Sequence, residues 1–210
     1  MSKKGVLTVV SGFSGAGKGT LMKALLKKYD YELSISATTR SPREGEEHGR
    51  EYFFLTREEF ESMIETGKLI EWAEYVGNYY GTPKEYVEQR LNEGKDVILE
   101  IEIQGALKVR EIFPDALLLF VTPPNITELK SRLVGRGTES METIMKRLAR
   151  ASEEASFMEH YDYIIVNDDL DECVETTHQV IMNEHYKVSQ NKNFIEAITA
   201  ELKAMKEGAI

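Results

Sequence analysis

Cysteine and proline are scarce in this chain of 210 residues, and its 26 basic side chains are outnumbered by 36 acidic ones. A single cysteine, Cys173, excludes an internal disulfide, and the four histidines His48, His160, His178 and His185 show no metal-binding spacing. Only five prolines against 41% hydrophobic residues exclude a disordered chain and leave enough apolar material for a sizeable core, as one large domain or a core with small insertions. No stretch approaches about 18 uninterrupted apolar residues, and Met1-Ser2-Lys3-Lys4 leads into only about five, too few for a signal peptide's apolar region. A soluble, cytoplasmic protein with no membrane contact is therefore expected. The net charge of −10 excludes the extended basic surface that non-specific nucleic-acid binding requires.

The basic residues that are present are unevenly placed. Seven of ten arginines fall in two windows, Arg40, Arg43 and Arg50 in one and Arg132, Arg136, Arg147 and Arg150 in the other, while the sixteen lysines are scattered. Arginine suits bidentate phosphate contact, so two such windows in an acidic protein point to small phosphorylated ligands, with solvated surface charge as the plain alternative.

The stretch SGFSGAGKGT, residues 11–20, follows the apolar run 6–10 and precedes a helical pattern at Leu21, Leu25 and Leu26. Gly12, Phe13, Ser14, Gly15, Ala16 and Gly17 form a loop whose backbone N–H groups can turn inward around phosphate oxygens. The following helix N-terminus adds a positive dipole, and Lys18 reaches the transferable end. Gly19 stands where a magnesium-ligating hydroxyl is usual, leaving Thr20 as the nearest hydroxyl for Mg²⁺, directly or through water. This Gly-x-Gly-Lys-Gly-Thr form resembles the loop of nucleoside monophosphate kinases, and no Asn-Lys-x-Asp motif supports a GTPase.

Apolar runs at 6–10, 97–101, 117–121 and 163–166 are nearly continuous rather than alternating, the pattern of strands buried on both faces. Thr56 with Glu59 and Thr82-Pro83 with Glu85 read as capping boxes, the second with proline at the first helical position; Gly94 reads as a stop and Asn125 with Glu128 as another start. An α/β fold is expected, with a parallel-sheet core and helices on both faces. Residues 34 to about 81 read as a small mixed α/β insertion, and about 126 to 157 as a charged helical segment interrupted at Gly135-Arg136-Gly137. Beyond Asp168 one or two long surface helices are expected, with a break around Ser189 to Asn193.

Arg40 and Arg43, three apart beside Pro42, present two guanidinium groups on a stiffened turn that could clamp one phosphate. The run from Ser34 to Glu46 combines with Tyr52, Ile70-Glu71-Trp72, Gly77 to Thr82, Ile103-Gln104-Gly105, Gly135 to Glu139 and Val166 to Asp169. Together they resemble the guanylate kinase family, in the family's order from about residue 5 to 170. The resemblance implies transfer of the ATP γ-phosphoryl group to GMP, and plausibly dGMP, with Mg²⁺ accompanying ATP. It implies a division into core with P-loop (1–33), GMP-binding insertion and return helix (34–96), core (97–125), helical lid (126–157), and core with C-terminal helices (158–210).

Carried over residue by residue, Arg40, Arg43, Tyr52 and Tyr80 match ligands of the GMP phosphate, and Ser36, Glu71 and Thr82 match guanine contacts. A carboxylate at Glu71 can accept from guanine N1–H and the 2-amino group together, donors that AMP lacks. Each also has a plainer reading: Thr82 as a helix cap, Tyr80 as core, Glu71 as a solvated strand residue. Glu100 and Glu102 supply acidity beside the loop, toward Mg²⁺-bound water or a GMP hydroxyl, or else pair with the arginines. Arg136 and Arg147 match lid arginines that reach the transferring group and, with Lys18, form the expected catalytic set. Asn167 matches the stretch beside adenine. Two alternatives stay open: a non-catalytic interaction module of the same fold, and a kinase for another nucleoside monophosphate. So does assembly into a homo-oligomer.

Overall fold

The four apolar runs become parallel neighbours in one sheet. A computed structural model describes residues 4–75, 77–135 and 140–206. The chain runs through β1 (Leu7–Gly12), α1 (Lys18–Lys28), β2 (Glu32–Leu33), β3 (Ala37–Thr38), β4 (Phe53–Phe54), α2 (Arg57–Glu65), β5 (Leu69–Tyr75), β6 (Asn78–Pro83) and α3 (Lys84–Asn92). It continues through β7 (Val97–Glu100), α4 (Ile103–Ile112), β8 (Leu117–Thr122), α5 (Ile126–Gly135), α6 (Met141–Ala155), β9 (Tyr163–Val166), α7 (Leu170–Glu184) and α8 (Lys192–Lys206). A five-stranded parallel sheet has the order β2-β7-β1-β8-β9.

Alternate strand residues serve opposite faces of that sheet. Val10, Ile98, Leu117, Leu119 and Val121 pack with Leu21 and Leu25 of α1, Leu129 of α5, Ile144 of α6 and Val174 of α7. Leu7, Val9, Val97, Leu99 and Leu118 pack instead with Val87 and Leu91 of α3 and Ala106 and Val109 of α4. Helices thus cover both faces, and that double burial is why the runs lack polar alternation.

The expected mixed insertion is a second sheet of order β4-β3-β6-β5, in which β3 pairs parallel with β4 while the other pairings are antiparallel. Its own small core centres on Ala37, Phe60 and Leu69. The capping box of α2 forms: Thr56 Oγ1 accepts from Glu59 N at 3.2 Å, and Thr56 N donates to Glu59 Oε2 at 2.7 Å. Asn125 Oδ1 likewise accepts from Glu128 N at 2.9 Å.

The second expected capping box does not form. Pro83 is the N-cap of α3 with no side-chain cap bond, and Thr82 lies within β6. Its hydroxyl instead donates to the Glu71 carboxylate at 2.7 Å. A helix cap contributes about 1 kcal/mol, whereas a buried carboxylate left unpaired loses more, so the long-range partner wins. A 3-10 turn, Val188–Asn191, provides the expected break before α8. Among the described residues no helix is long and apolar enough to cross a membrane.

Candidate active site

The loop leaving β1 turns directly into α1. Gly17 is the N-cap of that helix at φ 89°, ψ 17°, and no side chain caps it, so its first-turn N–H groups face the loop. A Cβ at Gly17 would lie 2.5 Å from Asn167 Nδ2, so both the left-handed backbone and the neighbour demand glycine. Lys18 folds back over the loop, donating to the carbonyls of Gly12 at 2.6 Å and Phe13 at 3.2 Å.

Three distant elements fasten this loop. Arg147 of α6 donates to Ser14 Oγ at 2.5 Å. Arg132 of α5 donates to Glu128 Oε1 at 2.7 Å and reaches the Ala16 carbonyl at 3.4 Å. Asn167, just after β9, donates to that same carbonyl at 2.8 Å. Arg136 lies outside the described residues.

Across the sheet edge from the loop lies a cleft of about 520 Å³ between the insertion and α4, to which Ser36, Tyr52, Glu71, Tyr80 and Glu100 all contribute walls. Glu71 occupies it because of a local irregularity: the β5–β6 register shifts between Leu69 and Trp72, and such a bulge re-aims a side chain. Across that pairing Thr82 holds Glu71 Oε1 from below. On the far side, a Cβ at Gly105 of α4 would lie 3.2 Å from Glu71 Oε2, so the carboxylate rests against a helix backbone bared by glycine. Burial pushes the Glu71 carboxyl above the ordinary carboxylate value, while the Thr82 hydrogen bond and the charge of Lys108 oppose the shift.

The arginine turn is folded on itself. Arg40 Nη2 donates to both carboxylate oxygens of Glu46, at 3.0 and 2.9 Å, and Arg43 N donates to Glu46 Oε2 at 2.7 Å. The Arg40 guanidinium also lies 5.4 Å from the ring centre of Tyr52, which is 6.1 Å from that of Tyr80. Arg40, Tyr52 and Tyr80 are therefore gathered, while the Arg43 side chain is exposed.

Glu100 ends β7 opposite Val10, and its carboxylate sits 4.0 Å from where a Cβ of Gly19 would be. Desolvation raises its pKa, the charge of Lys18 lowers it, and Glu102 adds to the rise. Glu102 itself pairs with Arg150 at 3.0 Å, the plainer of its two expected roles. Among the described residues no three His, Cys, Asp or Glu side chains group as a metal cage. Mg²⁺ needs no such cage, because it binds through one or two carboxylates together with phosphates and waters. The Thr20 hydroxyl and Glu100 carboxylate, both exposed hard oxygen donors flanking Gly19, fit that mode.

Three contributors went unassigned in the sequence reading. Glu46 closes the arginine turn, and Gly105 and Lys108 shape and charge the floor under Glu71. A glycine inside a helical pattern was the available signal for Gly105, since it is tolerated there mainly where something approaches the backbone closely.

A protein-family model described as guanylate kinase matches residues 4–184. The chain is 54% identical over 186 residues to the guanylate kinase of Shouchella clausii, covering 88% of this chain and 91% of that protein. It is 53% identical over 189 residues to the guanylate kinase of Bacillus subtilis, covering 89% and 93%. A crystal structure of guanylate kinase from Anaplasma phagocytophilum superposes with a TM-score of 0.69 at 33% identity, covering 90% of each chain.

Proposed function

Since the chain belongs to the guanylate kinase family, its reaction is transfer of the γ-phosphoryl group of ATP to GMP, and we propose that the loop 12–20 holds the donor and the cleft around Glu71 the acceptor. The carrying observation is the half-buried Glu71 carboxylate, with one oxygen held by Thr82 and the other against Gly105, in a cleft lined also by Tyr52 and Tyr80, with Arg40 against the Tyr52 ring. Guanine N1–H and its 2-amino group meet that carboxylate, with Ser36 and Thr82 beside the base. Arg40, Arg43, Tyr52 and Tyr80 take the phosphate, for which Arg40 exchanges its contact with Glu46.

The acceptor phosphate oxygen is already a nucleophile. It forms the new bond to the γ-phosphorus as the bond to the bridging β–γ oxygen breaks, and ADP leaves. The protein therefore supplies alignment and charge neutralisation rather than covalent chemistry. Lys18 and the loop amides hold the donor phosphates, and Arg147, with Arg136, brings positive charge from the lid to the transferring group. Mg²⁺ bound with ATP near Thr20 and Glu100 would supply further neutralisation of the phosphate charge. In this division residues 1–33 and 97–125 are core, 34–96 the acceptor insertion with its return helix, 126–157 the lid, and 158–210 core and C-terminal helices. The proposed setting is the cytoplasm.

A coupled assay for ADP with GMP, dGMP, AMP and UMP as acceptors tests the reading. GMP is expected to be preferred, and AMP turning over better would remove the guanine assignment. Glu71→Gln is expected to raise KM for GMP about 10²-fold, because two hydrogen bonds to a charged acceptor are weakened at once. The wild-type KM should climb as pH falls through the elevated Glu71 pKa, since a neutral carboxyl cannot accept from both guanine donors, and the variant should lack that limb. Stability separates this from misfolding. A carboxyl whose folded pKa is raised favours folding most below its unfolded pKa and loses that contribution as pH rises through the folded value, so Glu71→Gln should melt no lower than wild type at neutral pH.

A further inference from the structure

Asn167 is 6% exposed and spends its side-chain amide on the loop, donating to the Ala16 carbonyl at 2.8 Å. Its own backbone is pinned, with Asn167 N donating to Thr122 O at 2.8 Å and the next helix capped two residues later by Asp169. The amide therefore approaches the loop from a rigid junction between β9 and α7.

The peptide it grips joins Ala16 to Gly17. In a trans peptide the C=O and N–H point in opposite directions, so a carbonyl turned to Asn167 turns the Gly17 N–H to the opposite side of the peptide. The glycine at 17 does not by itself fix this orientation. Without a Cβ the backbone there tolerates either sense of the peptide, and a flipped peptide would present a carbonyl oxygen where phosphate needs a donor. Arg132 reaches the same carbonyl, but at 3.4 Å, long for a hydrogen bond. Asn167 is thus the group that selects between the two senses.

We propose that Asn167 is a positioning residue of the donor site, acting through the Ala16–Gly17 peptide to aim the Gly17 N–H at the donor phosphates, and that it does not read the adenine. The proposal rests on the reading that loop 12–20 holds the donor. It predicts a defect that follows the phosphates and ignores the base.

Steady-state kinetics with ATP and with inosine triphosphate, which lacks the 6-amino group, measure this, together with competitive inhibition by inorganic tripolyphosphate, which has no base. Asn167→Ala should lower kcat/KM about 10-fold with both triphosphates. Asn167→Asp, which places a carboxylate against the carbonyl, should lower it about 10²-fold with both. The inhibition constant for tripolyphosphate should rise in parallel, and KM for GMP should stay at its wild-type value. Unchanged kinetics in both variants would overturn the proposal, as would a loss confined to ATP with tripolyphosphate inhibition intact. A partly unfolded preparation would also lower kcat/KM equally with both donors but would leave the tripolyphosphate inhibition constant at its wild-type value, so the rise in that constant separates positioning from misfolding, and a wild-type constant would overturn the proposal. Wild-type turnover of ATP with GMP in the same assay is the separate control on the kinase reading.

Discussion

Replacing Lys18 by alanine is expected to cut turnover at least about 10³-fold, the scale of removing a preorganised positive donor from a transition state that carries spread negative charge. Lys18 is the first residue of α1, so its Cα is fixed by the helix while its ammonium arches back over Gly12 and Phe13. Those two carbonyl contacts place Nζ above the loop. Phosphate oxygens are stronger, charged acceptors, and Lys18 exchanges the carbonyls for them when the donor arrives. Loss of the side chain should leave folding nearly intact. Alanine is the better helix former at this position, and each hydrogen bond removed is worth about 1 kcal/mol net. Lys18→Met tests charge more narrowly, since it keeps most of the stem, and should be nearly as inactive as alanine. Single-turnover rates with thermal melting of the same samples decide the matter. Turnover within about tenfold of wild type in a folded Lys18→Ala protein would remove the loop from the reaction.

Features set by neighbours in sequence were legible before any coordinates. The buried strands announced themselves by unbroken apolar runs, the α2 cap by Thr56 and Glu59, and the turn from β1 into α1 by glycines flanking Lys18 between a strand and a helix. What misled were residues whose partner arrives through tertiary pairing. Thr82 has every local mark of a cap, yet the antiparallel β5–β6 ladder sets it opposite the bulge at Glu71, 11 positions away, and that carboxylate takes its hydroxyl. Asn167 lies 151 positions from the carbonyl it holds, and Arg147 133 positions from Ser14, distances over which spacing carries no information. The resemblance to guanylate kinases named Thr82, Asn167 and Arg147 as site candidates. It did not say that the Asn167 amide is already engaged by the loop.

The lid arginine carries the second large effect. Arg147→Ala is expected to lower kcat about 10³-fold with KM for GMP little changed, the lower range for an arginine that neutralises charge developing in phosphoryl transfer. Its position supports this size of effect. Arg147 projects from α6 to Ser14 Oγ, so its guanidinium already borders the loop proposed to hold the donor, whereas Arg150, one turn on, is turned to Glu102 and Glu154. Two arginines at neighbouring helical positions thus divide between the loop and the wall of the cleft. If the loop holds the donor as proposed, the Ser14 contact keeps Arg147 beside it before the reaction, which reduces the reorganisation left for the chemical step. Ser14→Ala should therefore cost far less than Arg147→Ala, because the guanidinium remains and only its tether is gone. Arg147→Lys restores charge without the planar fork and should recover part of the rate. If the loss in Arg147→Ala fell on ATP binding with the single-turnover rate at saturation preserved, the residue would be a ground-state ligand of the donor and its transition-state role would be lost.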